Sequence, residues 1–187
     1  MKTGKQQVPQ IDLQVLLENS SYELQEKTIK NLAMKILEFM ELSEYELSLL
    51  IVNDEKIKEL NRDYRQKDKA TDVLSFPQIE WNQPLLVAEK KSREAHQDSH
   101  KVLGDIVISL DHVAINAEKI GNTLAREFCF LLIHGILHLC GHDHMEKDEE
   151  ILMFDQQKKI LSLLSNINKA DTKPIWFNCV YQNEKEN

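Results

Sequence analysis

An eleven-residue segment in the second half of the chain constrains the fold more than any other part of the sequence. The run HGILHLCGHDH, residues 134–144, contains four of the seven histidines of the chain. His134 and His138 are four positions apart, so on a helix they lie on the same face, about one turn from each other. Gly141 can end this helix and reverse the chain, because glycine has no Cβ to oppose the backbone conformation required. His144, three residues later, can then return to the same point.

Three imidazoles that converge from a helix and the turn after it form an open site for a metal ion. A single histidine on an apolar helix is usually a core residue with a satisfied hydrogen bond, but burying several imidazoles without partners would cost a few kcal/mol each. Zinc bound by three protein ligands keeps a fourth position for water, as catalytic zinc sites do. The sequence therefore predicts one zinc ion (Zn2+) per chain, bound by His134, His138 and His144.

Three neighbours of these histidines leave alternatives open. His142 could be a fourth ligand, a partner of a ligand or a surface residue, and we do not count it as a ligand because the other three already complete the site. Asp143 could orient a ligand imidazole or could form the turn. Cys140 is expected in the core. A fourth ligand at His142 or Cys140 would favour a structural metal in a non-enzymatic protein, since structural zinc sites usually have four protein ligands.

The spacing of the histidines also matches a zinc-protease pattern, H-E-x-x-H-x-x-G-x-x-H. In those proteases the general base is the glutamate that follows the first histidine. Here that position is Gly135, which cannot accept a proton. Such a site can still acidify a bound water, but it lacks the group that moves the proton in peptide hydrolysis. The sequence therefore argues against a protease.

Strands and helices interleave in the first half of the chain, and helices dominate the second half. The helix at 123–140 is apolar on nearly every face, so it should be the buried central helix. This pattern predicts an α+β fold in which a four-stranded mixed sheet packs with about five helices, the central one carrying the metal-binding histidines. The strands are predicted at 11–17, 47–52, 71–76 and 104–109, and the helices at 22–42, 53–64, 110–120, 123–140 and 147–165.

The chain is long enough for one domain with its own core. We predict a single metal-dependent hydrolase domain over residues 1–165 and a C-terminal tail over residues 166–187, which either packs as a short appendage or stays mobile. Residues 78–102 are polar and should form a long loop. The three cysteines are odd in number and irregularly spaced, which is typical of reduced thiols. With no apolar signal core and no run approaching the ~20 residues of a membrane span, we expect a cytoplasmic protein with no membrane partner.

The formal net charge of −8 argues against affinity for nucleic acid over the whole surface. Residues 56–69, which we call the basic strip, are an exception. Six cations there face three acidic residues, a local excess of +3 (6 − 3). Such a strip can bind phosphate even on an acidic protein, although a solvated helix face of mixed charge is the simpler interpretation.

Three segments of the sequence resemble motifs of the YbeY endoribonuclease family, in the same order and spacing. Residues 134–144 resemble its H-G-x-L-H-L-x-G-[YH]-D-H signature. Residues 60–77, LNRDYRQKDKATDVLSFP, resemble its L-N-x-x-Y-R-x-K-D-x-P-T-[DN]-V-L-S-F-P segment, and residues 103–109, LGDIVIS, its L-G-D-[IL]-x-I-[SC] strand. The resemblance covers roughly residues 10–165. Ala70 stands where the family usually has proline, and this difference affects no side chain to which we assign a chemical role.

The resemblance implies an α+β fold, a zinc ion on the three histidines named above, and cleavage of single-stranded RNA. It implies a role in forming the 3′ end of small-subunit ribosomal RNA and in ribosome quality control, with the ribosome as partner. It also implies a functional role for Arg65. A phosphodiester transition state carries negative charge, which a planar guanidinium can engage through two hydrogen bonds.

We therefore predict metal-assisted hydrolysis, in which zinc lowers the pKa of a bound water. Arg65 would neutralise charge on the scissile phosphate, and Lys67 and Lys69 would hold flanking phosphates. The metal motif contains no general base, and attack by the RNA 2′-hydroxyl is an alternative mechanism. Tyr64 could stack on a base or pack against its own helix. A zinc hydrolase of another substrate and a non-catalytic ribosome-associated protein are the alternative functions.

Overall fold

The computed structural model describes residues 9–17, 21–87, 101–167 and 174–182. Four strands form one sheet in the order β1-β3-β5-β4, and β2 and β6 form a separate two-stranded sheet. The elements are, in chain order, β1 (Gln10–Leu16), β2 (Tyr22–Leu24), α1 (Glu26–Phe39), β3 (Tyr45–Val52), α2 (Asp54–Arg65), β4 (Val73–Pro77), β5 (Lys101–Ser109), α3 (Leu110–Ile120), α4 (Leu124–Leu139), α5 (Lys147–Asn166) and β6 (Val180–Gln182).

The larger sheet is mixed. β1, β3 and β5 run parallel, while β4 lies at the edge and is antiparallel to β5. One face of β3 and β5 carries leucine and isoleucine side chains that pack with the helices in the main core. Val52 and Val107 of the same strands pack in a second, smaller cluster with Ile57 of α2 and Leu74 of β4. The predicted α+β fold, with its four-stranded mixed sheet and five helices, is confirmed for the described part of the chain.

The helix α4 is the central helix, as its sequence predicts. Most of its residues are buried, and it contacts α3 and α5 as well as β4 and β5. Its first turn is capped by Thr123, whose side chain accepts from the backbone N–H of Arg126. Among the described residues, no single helix is long and apolar enough to cross a membrane. The helices α3 and α4 reach the required length and composition only when they are taken together, and the chain bends by 114° between them.

The predicted helix start at residue 22 is wrong. Residues 22–24 form β2, which pairs antiparallel with β6, and α1 begins only at Glu26. The partner strand is almost at the other end of the chain, so local periodicity could not reveal this pairing. Within the predicted tail, Trp176, Cys179 and Val180 are buried in the core. The domain boundary near residue 165 stays a prediction.

The predicted loop at 78–102 is described only in part, since residues 88–100 lie outside the described residues and β5 already begins at Lys101. The described part, residues 78–87, packs on the end of α4. Trp81 Nε1 donates to the Leu139 carbonyl at 2.8 Å, and the Leu85 N–H donates to the Cys140 carbonyl at 3.0 Å. These contacts satisfy carbonyl groups that the end of a helix leaves unpaired.

Candidate metal centre

The three predicted ligands come together at the end of α4. His134 and His138 lie on one face of the helix, and Gly141, with a φ of 84°, turns the chain so that His144 joins them. One ligand atom from each of the three imidazoles lies within 4.8 Å of the others. The ring centroids are 4.7 to 5.4 Å apart. The site geometry therefore follows from a helical repeat, a glycine turn and three further residues.

The chemistry of this donor set fits a divalent cation. Nδ1 of His138 faces the His142 carbonyl oxygen at 2.9 Å. Because a carbonyl only accepts, Nδ1 carries the proton and Nε2 of His138 has a free lone pair. That Nε2 lies 3.1 Å from Nε2 of His134. Two nitrogens on a tetrahedral zinc, each about 2.0–2.1 Å from the metal, would be about 3.3 Å apart.

Burial favours the neutral form of the His134 and His138 imidazoles. Burial, reinforced by the nearby imidazoles of His138 and His144, lowers the pKa of His134 to about 4. Burial is also the main reason that the pKa of His138 is lowered. Both rings are therefore neutral at neutral pH, which is the form that coordinates a metal.

The neighbours of the ligands have other roles. His142 is buried, and its Nε2 donates to the Leu85 carbonyl at 2.7 Å, so it holds the 78–87 loop. Cys140 is buried in the core, as expected. Asp143 Oδ1 accepts from the backbone N–H of His144 at 2.7 Å, the behaviour of a turn residue. Within the described ranges, only the three predicted histidines form a metal-binding group.

Gly135 lies on the face of α4 that packs on β4 and β5. A Cβ added there would be 3.1 Å from two side-chain atoms of Ile106 and 3.3 Å from Ser75 Oγ. The Ser75 hydroxyl also donates to the Gly135 carbonyl at 3.3 Å. Even a methyl group at this position fits only if the side chains of Ile106 and Ser75 give way by a few tenths of an ångström, and a longer side chain needs more room. Packing, as well as sequence, disfavours the glutamate on which zinc proteases depend.

Replacing Gly135 with glutamate is expected to destabilise the protein by several kcal/mol and to create no peptide hydrolysis. Overpacking costs about 1–3 kcal/mol, and burying a carboxylate without a partner costs more. Thermal unfolding and casein digestion are the measurements. Gly135→Ala is the control, since it adds the crowded Cβ without the charge. Chelator-sensitive casein digestion by the wild-type protein would contradict the prediction.

A groove of about 650 Å³ connects the histidines to the basic strip. Arg65, Lys67 and Lys69 line it together with the three histidines. Two carboxylates that line the groove already accept hydrogen bonds from the protein. Asp72 accepts from Thr71, Val73 and Asn116. Asp143 accepts from the backbone N–H of His144. The predicted cations and the predicted metal ligands therefore face one space.

The basic strip divides into paired and unpaired cations. The pairs are Lys56 with Glu59 at 2.8 Å, Lys58 with Asp68 at 3.6 Å and Arg62 with Asp63 at 3.0 Å. These pairs use all three acidic residues of the strip. Arg65, Lys67 and Lys69 have no carboxylate within ion-pair distance in the described part of the chain. The excess charge of +3 is thus located on the three cations that line the groove.

Arg65 is held in place by the edge strand β4. It is the last residue of α2, which ends in a left-handed turn at Gln66. Its Nη2 donates to the Ser75 carbonyl at 2.9 Å, and its guanidinium lies 5.9 Å from the Phe76 ring centroid. Tyr64 meets the same ring edge-on at 5.2 Å but is 68% exposed. The contact of Tyr64 is thus with Phe76 of the sheet, and most of its ring remains open to solvent.

Three buried polar residues support the site without having been singled out from the sequence. Asn61 donates to the Lys69 carbonyl at 2.8 Å and so fixes the loop that carries both lysines. Ser75 contacts α4 at Gly135. Gln157, on α5, raises the pKa of His134. In the sequence only Ser75 stands within an apolar run, VLSF, whereas Asn61 and Gln157 have charged or polar neighbours and give no such signal.

Comparison with known proteins decides the family. The family model described as Endoribonuclease YbeY matches residues 14–165. The chain belongs to the YbeY endoribonuclease family. The resemblance inferred from the three motifs is therefore confirmed, and the match includes both the basic strip and the histidine segment.

Individual relatives agree with the YbeY assignment. A YbeY endoribonuclease of Sulfurihydrogenibium sp. is 41% identical over 78% of this chain and 87% of its own length. One of Halalkalibacterium halodurans is 43% identical over 75% of this chain and 86% of its own length. The solution structure of TM1509 from Thermotoga maritima is similar with a TM-score of 0.55 and 28% identity, covering 86% of this chain and 92% of that one.

Proposed function

We propose that this protein is a zinc-dependent endoribonuclease that cleaves single-stranded RNA. The observation that carries the proposal is one groove lined by three imidazoles and by the three cations of the basic strip that have no ion-pair partner among the described residues. Membership of the YbeY family supports RNA as the substrate. Ribosomal RNA is the proposed target, with 3′-end maturation of the small-subunit RNA and ribosome quality control as the proposed roles, in the cytoplasm.

The residues of the groove would have different roles in phosphodiester cleavage. Arg65, fixed by the Ser75 carbonyl, would engage the equatorial oxygens of the scissile phosphate, where negative charge develops. Lys67 and Lys69 would bind flanking phosphates and set the register of the strand. A zinc ion held by the three histidines would supply a Lewis acid and an acidified water. The exposed ring of Tyr64 offers a face for a splayed base, which supports a single-stranded substrate.

The number of ligands supports a catalytic metal over a structural one. Structural zinc sites are usually closed by four protein ligands, whereas catalytic sites keep a position open. Three histidines form the site within the described residues, and the side chains of His142 and Cys140 are directed elsewhere. These observations favour hydrolysis over the alternative of a non-catalytic ribosome-associated protein.

The test combines metal analysis with cleavage of defined RNAs. The purified protein should contain about one zinc per chain and should cut a labelled single-stranded RNA much faster than the same sequence annealed into a duplex. A chelator should stop cleavage and added zinc should restore it. A preparation of the His138→Ala variant is the control for contaminating nucleases. Cleavage that persists equally with that variant, or no cleavage at all by zinc-loaded protein, would refute the proposal.

A further inference from the structure

Gln157 lies on α5, which packs against the helix α4 that carries two of the three histidines. Its side chain is 1% exposed. The amide nitrogen Nε2 donates to the backbone carbonyl of Phe130, on α4, at 2.9 Å. Because a carbonyl oxygen can only accept hydrogen bonds, this contact fixes the orientation of the amide. The nitrogen must point to Phe130, and the oxygen must point away from it.

The amide oxygen of Gln157 is the atom that needs a partner. Oε1 is buried and has no hydrogen bond of standard geometry within the described ranges. An unpaired buried acceptor is costly, so a partner is to be expected close by. Phe130 and His134 are four residues apart on α4, so the amide that donates to Phe130 lies about one helical turn from His134. Gln157 also raises the pKa of His134, which agrees with this placement. Nε2 of His134 faces His138 at 3.1 Å, so the ring nitrogen left for Gln157 is Nδ1.

We propose that Gln157 is a positioning residue for the metal centre, whose Oε1 accepts a hydrogen bond from Nδ1–H of His134 and so directs the Nε2 lone pair of that ring to the metal. This inference rests on the proposed zinc site. His138 is oriented in the same way, since its Nδ1 donates to the His142 carbonyl. The two ligands on α4 would thus each have a fixed tautomer, one set by the turn after the helix and one by α5.

The first experiment compares zinc affinities by competition with a chromophoric chelator. Gln157→Met removes the acceptor while nearly keeping the volume, and it should weaken zinc binding about 10- to 100-fold, as losing the partner of a ligand imidazole typically does. Gln156→Met is the matched control. Gln156 is the adjacent residue, is also 1% exposed, and accepts from the Val87 N–H at 2.9 Å. Its variant should lose stability but keep the wild-type zinc affinity.

A conservative variant separates positioning from stability. Gln157→Glu keeps an acceptor for His134 but loses the donor to Phe130, so it should lower the melting temperature while keeping near-wild-type zinc affinity. Three results would overturn the inference. One is wild-type zinc affinity in Gln157→Met, and another is a loss of zinc affinity in Gln156→Met as large as in Gln157→Met. The third is an equally large loss of zinc affinity in Gln157→Glu.

A spectroscopic readout does not depend on the metal. With ¹⁵N-labelled histidine, the metal-free wild-type protein should show His134 protonated at Nδ1, and Gln157→Met should lose that preference. The same tautomer in both proteins would contradict a positioning role. If the wild-type protein binds no zinc, the proposed function fails, and the tautomer of His134 still tests the contact with Gln157.

Discussion

Replacing Arg65 with alanine is expected to slow RNA cleavage about 100-fold or more, as removing one electrostatic stabiliser of a transition state does. Arg65 lines the groove beside the histidines, and it has no carboxylate partner among the described residues. Its hydrogen bond to the Ser75 carbonyl orients the guanidinium without neutralising it. Single-turnover cleavage at saturating RNA is the measurement, because it isolates the chemical step from binding.

Lysine at position 65 should rescue little of this loss. A lysine retains the charge but not the planar fork that can engage two phosphate oxygens while remaining bonded to Ser75. Zinc content should be unchanged, because Arg65 is not a metal ligand. The melting temperature should fall only slightly, because the lost hydrogen bond is partly exposed.

Lys67 and Lys69 provide the matched comparison. They line the same groove without an ion-pair partner among the described residues, so Lys67→Ala and Lys69→Ala should weaken RNA affinity modestly. Each substitution should also reduce the slope of log affinity against log salt concentration by the amount that about one phosphate contact contributes. The rate of the chemical step should stay nearly unchanged. Wild-type cleavage by Arg65→Ala at saturating RNA would show that Arg65 binds substrate and does no more.

The grouping of the three histidines could be predicted from sequence because it is local. A spacing of four residues places two side chains on one helical face whatever the rest of the fold does, and Gly141 marks the turn to His144. The sheet was predictable for the same reason, since each strand has its own apolar pattern. The β2–β6 pair was not, because its two strands are too short to show a pattern and lie at opposite ends of the chain.

The groove could be predicted only in part. Composition gave the excess of +3 in the basic strip, but not which cations carry it. That depends on α2, where Lys56 and Glu59 are three residues apart on one face, and on the loop that returns Asp68 to Lys58. The contact of Gln157 with α4 depends on how two helices pack, for which a buried glutamine in the sequence is only a weak signal.

Replacing His138 with alanine is expected to abolish stoichiometric zinc binding and the stability that zinc provides. A ligand that binds only the folded state stabilises it by about 4 kcal/mol when present at roughly 1,000 times its dissociation constant. For a chain of this length, that corresponds to a rise in melting temperature of about 8–16 °C. Zinc should therefore raise the melting temperature of the wild-type protein by this order and leave His138→Ala unchanged. Metal analysis and thermal unfolding, each with and without zinc, are the measurements.

His142→Ala is the control that makes this result specific. His142 belongs to the same segment and is buried, but its imidazole is bonded to the Leu85 carbonyl and its contribution to the metal centre is a backbone oxygen that alanine retains. The control variant should melt lower than the wild-type protein, because the partly buried Leu85 carbonyl loses its partner and a fully buried unpaired carbonyl costs about 1–3 kcal/mol. It should nevertheless bind about one zinc per chain and show the full zinc-dependent rise in melting temperature. Unchanged zinc content in His138→Ala, or loss of zinc from His142→Ala alone, would mean that the ligands have been wrongly assigned.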